Sequence, residues 1–412
     1  MTMKNNILAK TLLISLFIVI FSSCHNLFDD DDPEPTNEYL ISYESKKSYL
    51  PILIEALFDQ MVDQYPEMAS ISDRVEYGIQ VYKITYYTTL QEESQVASGL
   101  VCVPMGEGPF PVMSYQNGTN TLHSNAPSEN PNRDLYLMLE SIASTGFVIA
   151  IPDYIGFGSS DNNFHPYLHK ESTVQTVVDM LRAIDELTEN YLNVSVNNDL
   201  YITGYSQGGW ATMAVQKAIE TEFSGEFNLK ASACGSGPYD LSYINEYILS
   251  QENYPMPYFT GYMFDSYQKL GVLNTPIDSV FQEPYAEKIE TLYDGTLSGE
   301  EINDELTTVV ADLFTGNYIT NCETDTTFMS LRETLVENSV EAWATNTPMR
   351  IYHGTADDFV PTQVSYNIYQ DFMDLGVSSN QVVMFPLPEL GHTEAIIPTG
   401  LSSIQWFLEL TE

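Results

Sequence analysis

The sequence predicts an α/β fold in which a mostly parallel, doubly wound sheet carries helices on both faces. Three observations support this. Short apolar runs of strand type alternate with stretches of helical periodicity along much of the chain, as parallel strands joined by helical crossovers require. One junction, 200–219, passes without a linker from a strand-type run through Gly204-Tyr205-Ser206-Gln207-Gly208 into an Ala/Met/Val-rich helix. Finally, 43% of the 412 residues are apolar, ample for a large core.

At the N-terminus, Lys4 and Lys10 precede an apolar run over 11–21. It is too short for a comfortable membrane span and has the shape of a signal peptide. Its end, Phe21-Ser22-Ser23-Cys24, resembles a bacterial lipobox. Residues 1–23 are therefore the expected lipoprotein signal peptide and Cys24 the expected lipidation site. Residues 24–45 read as an acidic tether built around Asp29-Asp30-Asp31-Asp32-Pro33-Glu34-Pro35. An acidic run so near a lipidated cysteine resembles the surface-export signal of some Gram-negative lipoproteins. The expected address is the cell envelope of a Gram-negative-type bacterium, as an outer-membrane lipoprotein facing outward. It would touch the membrane through its lipid anchor only.

The core is expected over 46–240 and 346–412. A strand at 109–115 ends in Gln116-Asn117-Gly118-Thr119-Asn120, a turn-forming segment. A second strand, 146–152, leads into Asp153-Tyr154-Ile155-Gly156-Phe157-Gly158-Ser159-Ser160. These glycines lack the third that would open a helix around a dinucleotide, so a nucleotide site is rejected. His165 and His169 stand four apart, but Pro166 and the lack of a third ligand argue against zinc. They read as loop-packing groups near the site. A helix follows over about 172–187.

The junction at 200–219 is the most informative segment. A serine on a sharp strand-to-helix turn has a constrained backbone and needs small neighbours two residues away, which Gly204 and Gly208 supply. The turn exposes the hydroxyl, and the helix aims its N-terminal amides at whatever the serine attacks. Ser206 reads as a nucleophile and Gln207 N–H as an oxyanion donor. Such a serine needs a base, and the base an orienting acid. After a strand near 229–233 comes a buried strand at 349–353, followed by Asp357. A helix over 362–375 is closed by Gly376, and a strand at 381–385 precedes Gly391-His392. Acid and base thus each stand just past a strand's end. Asp358 and Asp240 compete for the acid role. Asp358 reads as a solvated turn residue, and Asp240 as an N-cap for the helix after it.

In the order Ser206, Asp357, His392, the chain resembles the α/β-hydrolase superfamily, in its secreted lipase and carboxylesterase branch with a large cap. The resemblance rests on Gly204-x-Ser206-x-Gly208, His353-Gly354-x-x-Asp357-x-x-Val360-Pro361, Gly391-His392 and the loop Asp153-x-x-Gly156-x-Gly158-x-Ser160. It spans about 75–412. It implies the α/β-hydrolase fold, with Ser206 as nucleophile, His392 as base, and Asp357 as acid by its spacing to Val360-Pro361. It also implies that Thr119 N–H joins Gln207 N–H in an oxyanion hole, although Asn117 stands where relatives commonly carry histidine. No cofactor or metal is implied.

Between Asp240 and about Asn346 the alternation breaks. An aromatic block over 243–267 precedes an acidic, helical stretch over 283–342. Inserted after the sixth core strand, 241–345 reads as a largely helical cap that lends apolar walls to a pocket. Tyr258 and Phe259, with Tyr205 beside the nucleophile, are the expected substrate contacts.

Together these parts predict hydrolysis of carboxylic esters through an acyl-enzyme, with glycan acetyl or feruloyl esters as a narrower class. A prolyl-oligopeptidase-like peptidase shares the triad order, but 25–74 is too short for the propeller such enzymes carry. A non-catalytic surface binding protein gives no reason to keep all three residues. Net charge is −42, and removing 1–23, which holds Lys4, Lys10 and no acids, takes it to −44. Such a surface repels nucleic acid and anionic polymers. Cys102, Cys234 and Cys322 form an odd set without metal spacing, so no disulfide framework is implied.

Overall fold

The computed structural model describes residues 36–412. The expected signal peptide, Cys24 and most of the expected tether lie outside the described residues. Within them, nine strands form one sheet: β1 (Leu40–Tyr49), β2 (Ile79–Leu90), β3 (Glu93–Pro104), β4 (Phe110–Gln116), β5 (Val148–Pro152), β6 (Val196–Tyr205), β7 (Asn228–Gly235), β8 (Met349–Gly354) and β9 (Val382–Leu387). Their order across the sheet is β1-β2-β3-β5-β4-β6-β7-β8-β9. The pairings from β1 to β5 are antiparallel. From β5 through β4, β6, β7 and β8 to β9 every pairing is parallel. This is the mostly parallel, doubly wound sheet that the alternation predicts.

Side chains alternate across the sheet, as strand geometry demands. Val112, Val148, Leu200 and Ile202 face helices Lys170–Asn190 and Gln207–Thr221. Met113, Ile149, Tyr201 and Tyr352 face the opposite layer, with Asp134–Ile142 and the C-terminal helix Ile396–Leu410. β5 is buried along its whole length, as a central parallel strand covered on both faces must be. Cys102, Cys234 and Cys322 are buried, free thiols.

The tether is shorter than the sequence predicts, because residues 40–45 already belong to β1. This strand is polar and mostly exposed, so nothing in its composition announces it. Pairing with β2 makes it a strand, and its lysines and serines suit an open sheet edge. The Glu186 carboxylate fixes its start by accepting the backbone N–H groups of Glu38, Tyr39 and Leu40.

The insertion runs between β7 and β8, after the seventh strand in chain order because β1 precedes the expected set. It begins with helices Leu241–Leu249 and Pro257–Lys269 and ends with Met329–Asn338. It does not separate from the core, since 37–412 form one unit. Tyr262 is stacked between Tyr167 and Tyr293, with ring centroids 4.5 and 4.8 Å away. Tyr267 OH donates to Leu168 O (2.9 Å) and Trp210 Nε1–H to Asn338 O (3.0 Å). Where the chain returns to β8, Glu220 accepts from Trp343 Nε1, Thr345 Oγ1 and Thr347 N. Among the described residues no helix is long and apolar enough to cross a membrane.

Candidate active site

β6 ends at Tyr205 and helix Gln207–Thr221 begins at Gln207, with Ser206 between them at φ 60° and ψ −122°. That conformation is strained for a residue with a side chain and persists only where neighbours hold it. Ser206 N–H donates to Gly235 O (2.8 Å), and Ser206 O accepts from Trp210 N–H (3.1 Å). The flanking glycines answer to close approach. A Cβ on Gly208 would lie 1.9 Å from Gln116 O, and one on Gly204 would lie 2.4 Å from Gly208 O. No other residue fits either position without moving β4.

His392 lies on the loop after β9 and Asp357 on the loop after β8. His392 Nδ1 is 2.6 Å from Asp357 Oδ2, and His392 Nε2 is 2.9 Å from Ser206 Oγ. An ionised carboxylate only accepts, so the proton sits on Nδ1 and Nε2 accepts from the serine hydroxyl. Asp357 Oδ1 also accepts the N–H groups of Phe359 (3.0 Å) and Val360 (2.9 Å). A second histidine completes the set: His353 Nε2 lies 3.2 Å from Asp357 Oδ2 and 2.9 Å from Val360 O. Burial alone would push the Asp357 carboxyl above the ordinary carboxylate range, but its interactions with His353 and His392 outweigh this and hold the group well below that range. Of the rival acids, Asp358 is exposed, and Asp240 caps helix Leu241–Leu249 by accepting Tyr243 N–H (3.0 Å).

The residues expected on the oxyanion side lie on the loop after β4. Gly118 packs on the turn that carries Ser206, where an added Cβ would sit 3.3 Å from Tyr205 O and 4.0 Å from Ser206 Cβ. Thr119 follows it, its hydroxyl 2.9 Å from Tyr167 OH. Asn117 has a positive task here: its Nδ2 donates to Pro152 O at the end of β5, tying the loop to the sheet. Gln207 occupies the first position of its helix, where backbone N–H groups have no intrahelical partner. Its side-chain Nε2 lies 3.0 Å from His165 Nε2. His169 instead caps helix Lys170–Asn190, accepting Ser172 N–H.

A narrow cleft opens at Ser206, lined by apolar groups that include Leu168, Leu241, Ile244, Phe259, Met263 and Phe359. Phe259 stands where the aromatic block predicts. Tyr258 does not: its ring packs on Gly299, where a Cβ would come within 2.7 Å of Tyr258 Cζ. Residues four apart share a helix face, so Phe259 and Met263 face the cleft while Tyr258 and Tyr262 lie on a second face, Tyr258 within the insertion and Tyr262 between Tyr167 of the core and Tyr293. Tyr205 is also no substrate contact. Its OH donates to His392 O (2.7 Å) and its ring lies 5.2 Å from the imidazole, so it supports the histidine from beneath. Sequence reasoning missed His353, although it stands inside the His-Gly motif, and missed the pairing of His165 with Gln207, which carries no spacing signal.

The secretory lipase family matches residues 132–408. No curated protein is found to match the chain. Among solved structures, the rice cell wall degrading esterase LipA from Xanthomonas oryzae is 26% identical, with a TM-score of 0.76 over 91% of this chain and 98% of that one. A ligand-bound form of the same esterase is 27% identical, with a TM-score of 0.76 over 90% and 97%. Candida antarctica lipase A in its closed state is alike in fold, at 16% identity and a TM-score of 0.65 over 90% of this chain and 81% of that one. The chain belongs to the secretory lipase family, an α/β-hydrolase-fold serine hydrolase that acts on ester bonds.

Proposed function

We propose that this esterase works by double displacement, with Ser206 as nucleophile, His392 as general base and Asp357 as the acid that orients it. Support comes above all from the unbroken hydrogen-bond relay Ser206–His392–Asp357 at the mouth of an apolar cleft. His392 Nε2 takes the serine proton as Oγ attacks the ester carbonyl. The oxyanion is met by Gln207 N–H and Thr119 N–H, donors that need no reordering as charge develops. The imidazolium then protonates the departing alcohol, and water repeats the sequence on the acyl-enzyme. The cleft takes the acyl chain, and the insertion serves as a fixed wall of it, bonded to the core through Trp210, Tyr262 and Tyr267. Ser206→Ala should lower kcat on a p-nitrophenyl ester by about 10⁴- to 10⁶-fold with unchanged circular dichroism. Activity retained in that variant would refute the assignment.

A narrower reading, deacylation of cell-wall glycans, draws on the likeness to LipA, which is described as degrading rice cell wall. Turnover of acetylated or feruloylated xylan at a rate matching tributyrin would favour it. The protein is exported in this account and held in the envelope by a lipid on Cys24, as the lysines, apolar run and Ser22-Ser23-Cys24 of the leader suggest. Cys24→Ser should then release it from the membrane fraction.

A further inference from the structure

Gln207 has an arrangement of its side chain that ester hydrolysis does not require. Ile155 O only accepts, so His165 Nδ1, 2.8 Å away, must carry a proton. Burial pushes His165 down to about 4, so near neutral pH the ring is uncharged and its Nε2 is an acceptor. Gln207 Nε2, 3.0 Å from that atom, is then the donor. The backbone carbonyl fixes the tautomer, and the tautomer fixes the orientation of the amide. Gln207 Oε1 is left turned away from His165, buried and without a hydrogen-bond partner. Gln207 is 1% exposed and lines the cleft beside Ser206. Buried acceptors are rarely left unmatched, because losing water without gaining a donor is costly.

Resting on the ester-hydrolase role of Ser206, we infer that Gln207 Oε1 is a specificity contact that accepts a hydrogen bond from a hydroxyl carried by the substrate close to its scissile ester. An ammonium donor would have to shed its water in a cleft otherwise lined mainly by apolar groups, whereas a hydroxyl sheds far less. The hydroxyl has two possible sources: the alcohol part, as in a partial ester of a polyol, or the acyl part, as in a hydroxy-acid ester. Esters with neither leave Oε1 unsatisfied in the transition state as in the free enzyme, and so gain nothing from it.

The test compares kcat/KM within two matched pairs: glycerol monobutyrate against propyl butyrate, and p-nitrophenyl 3-hydroxybutyrate against p-nitrophenyl butyrate. In the wild type, the hydroxylated member of one pair should lead by about 10- to 100-fold, and the pair that shows it identifies the source. Gln207→Met removes the acceptor at similar volume and should bring that ratio to near one. Its absolute rates will also fall, so only the ratio is read. His165→Phe frees the amide to turn and should lower the ratio as well, which keeps the test open if Gln207→Met does not fold. Ratios near one in both pairs for the wild type would overturn the inference, as would a preference that survives in Gln207→Met. No hydrolysis of any of the four esters by the wild type, or full activity in Ser206→Ala, would instead overturn the role of Ser206.

Discussion

Asp357 accepts three hydrogen bonds, from His392, Phe359 N–H and Val360 N–H, and has His353 Nε2 3.2 Å from its Oδ2, more than turning one imidazole requires. These contacts keep a buried carboxylate ionised, and an ionised carboxylate fixes the tautomer that the proposed role of His392 as general base needs. Asp357→Asn should therefore cost about 10⁴-fold in kcat, while Asp358→Asn, at an exposed position, should stay within about twofold of wild type. Steady-state kinetics on one soluble ester decides this, and equal losses would move the acid elsewhere. At this scale the sequence singled out Ser206, Asp357 and His392, because each follows a strand at a motif spacing, and the structure places the three within hydrogen-bonding reach of one another. It gave no partner for His353 or for His165, which read only as a loop-packing group near the site. Their work lies in contacts with residues 4 and 42 positions away, and a single histidine in sequence carries no mark of its partner.

The insertion between β7 and β8 lines one side of the cleft, and the proposed function makes it the wall that selects acyl chains. Its first helices place Phe259 and Met263 on the cleft, Tyr258 in the insertion's own core and Tyr262 against Tyr167 at the seam with the sheet domain. Phe259→Ala should weaken transition-state binding of an octanoate ester by about 1–3 kcal/mol and of an acetate ester much less. Melting temperature should change little. Tyr258→Ala should do the reverse: the acetate-to-octanoate ratio of kcat/KM holds while the protein loses about 3–5 kcal/mol of stability. If the two variants exchange these effects, the helix sits in another register. Aromatic richness over 243–267 revealed that an apolar wall exists there. It did not reveal which aromatics form it, because a helix with aromatic residues on every face has no periodicity from which to read the inward side.

At the scale of the whole molecule, β1 brings an ion pair into the interior. Lys47 on β1 reaches Glu140 on helix Asp134–Ile142 at 2.8 Å, and the Glu140 side chain is fully buried. Burial pushes Glu140 up from 4.5 to about 7, against the pull of Lys47. The folded chain therefore keeps a proton that the unfolded chain releases, and stability should fall as pH rises between these values, by up to about 1.4 kcal/mol per pH unit. Glu140→Gln should abolish that slope and melt above wild type at pH 8, with little difference at pH 4. Parallel slopes in the two proteins would show Glu140 ionised throughout. The parallel strands from 109 onward were legible from strand and helix alternation, but their order across the sheet was not, and a polar edge strand has no such signature. The central claim is that one serine of the whole chain is the nucleophile. Its most direct test is to treat the intact enzyme with an alkyl fluorophosphonate and follow activity and mass together. The account predicts a single adduct per chain, mapped to Ser206, with activity lost in proportion to labelling and no label on Ser206→Ala. Inactivation with the adduct on another residue, or labelling of Ser206 that leaves ester hydrolysis intact, would contradict it.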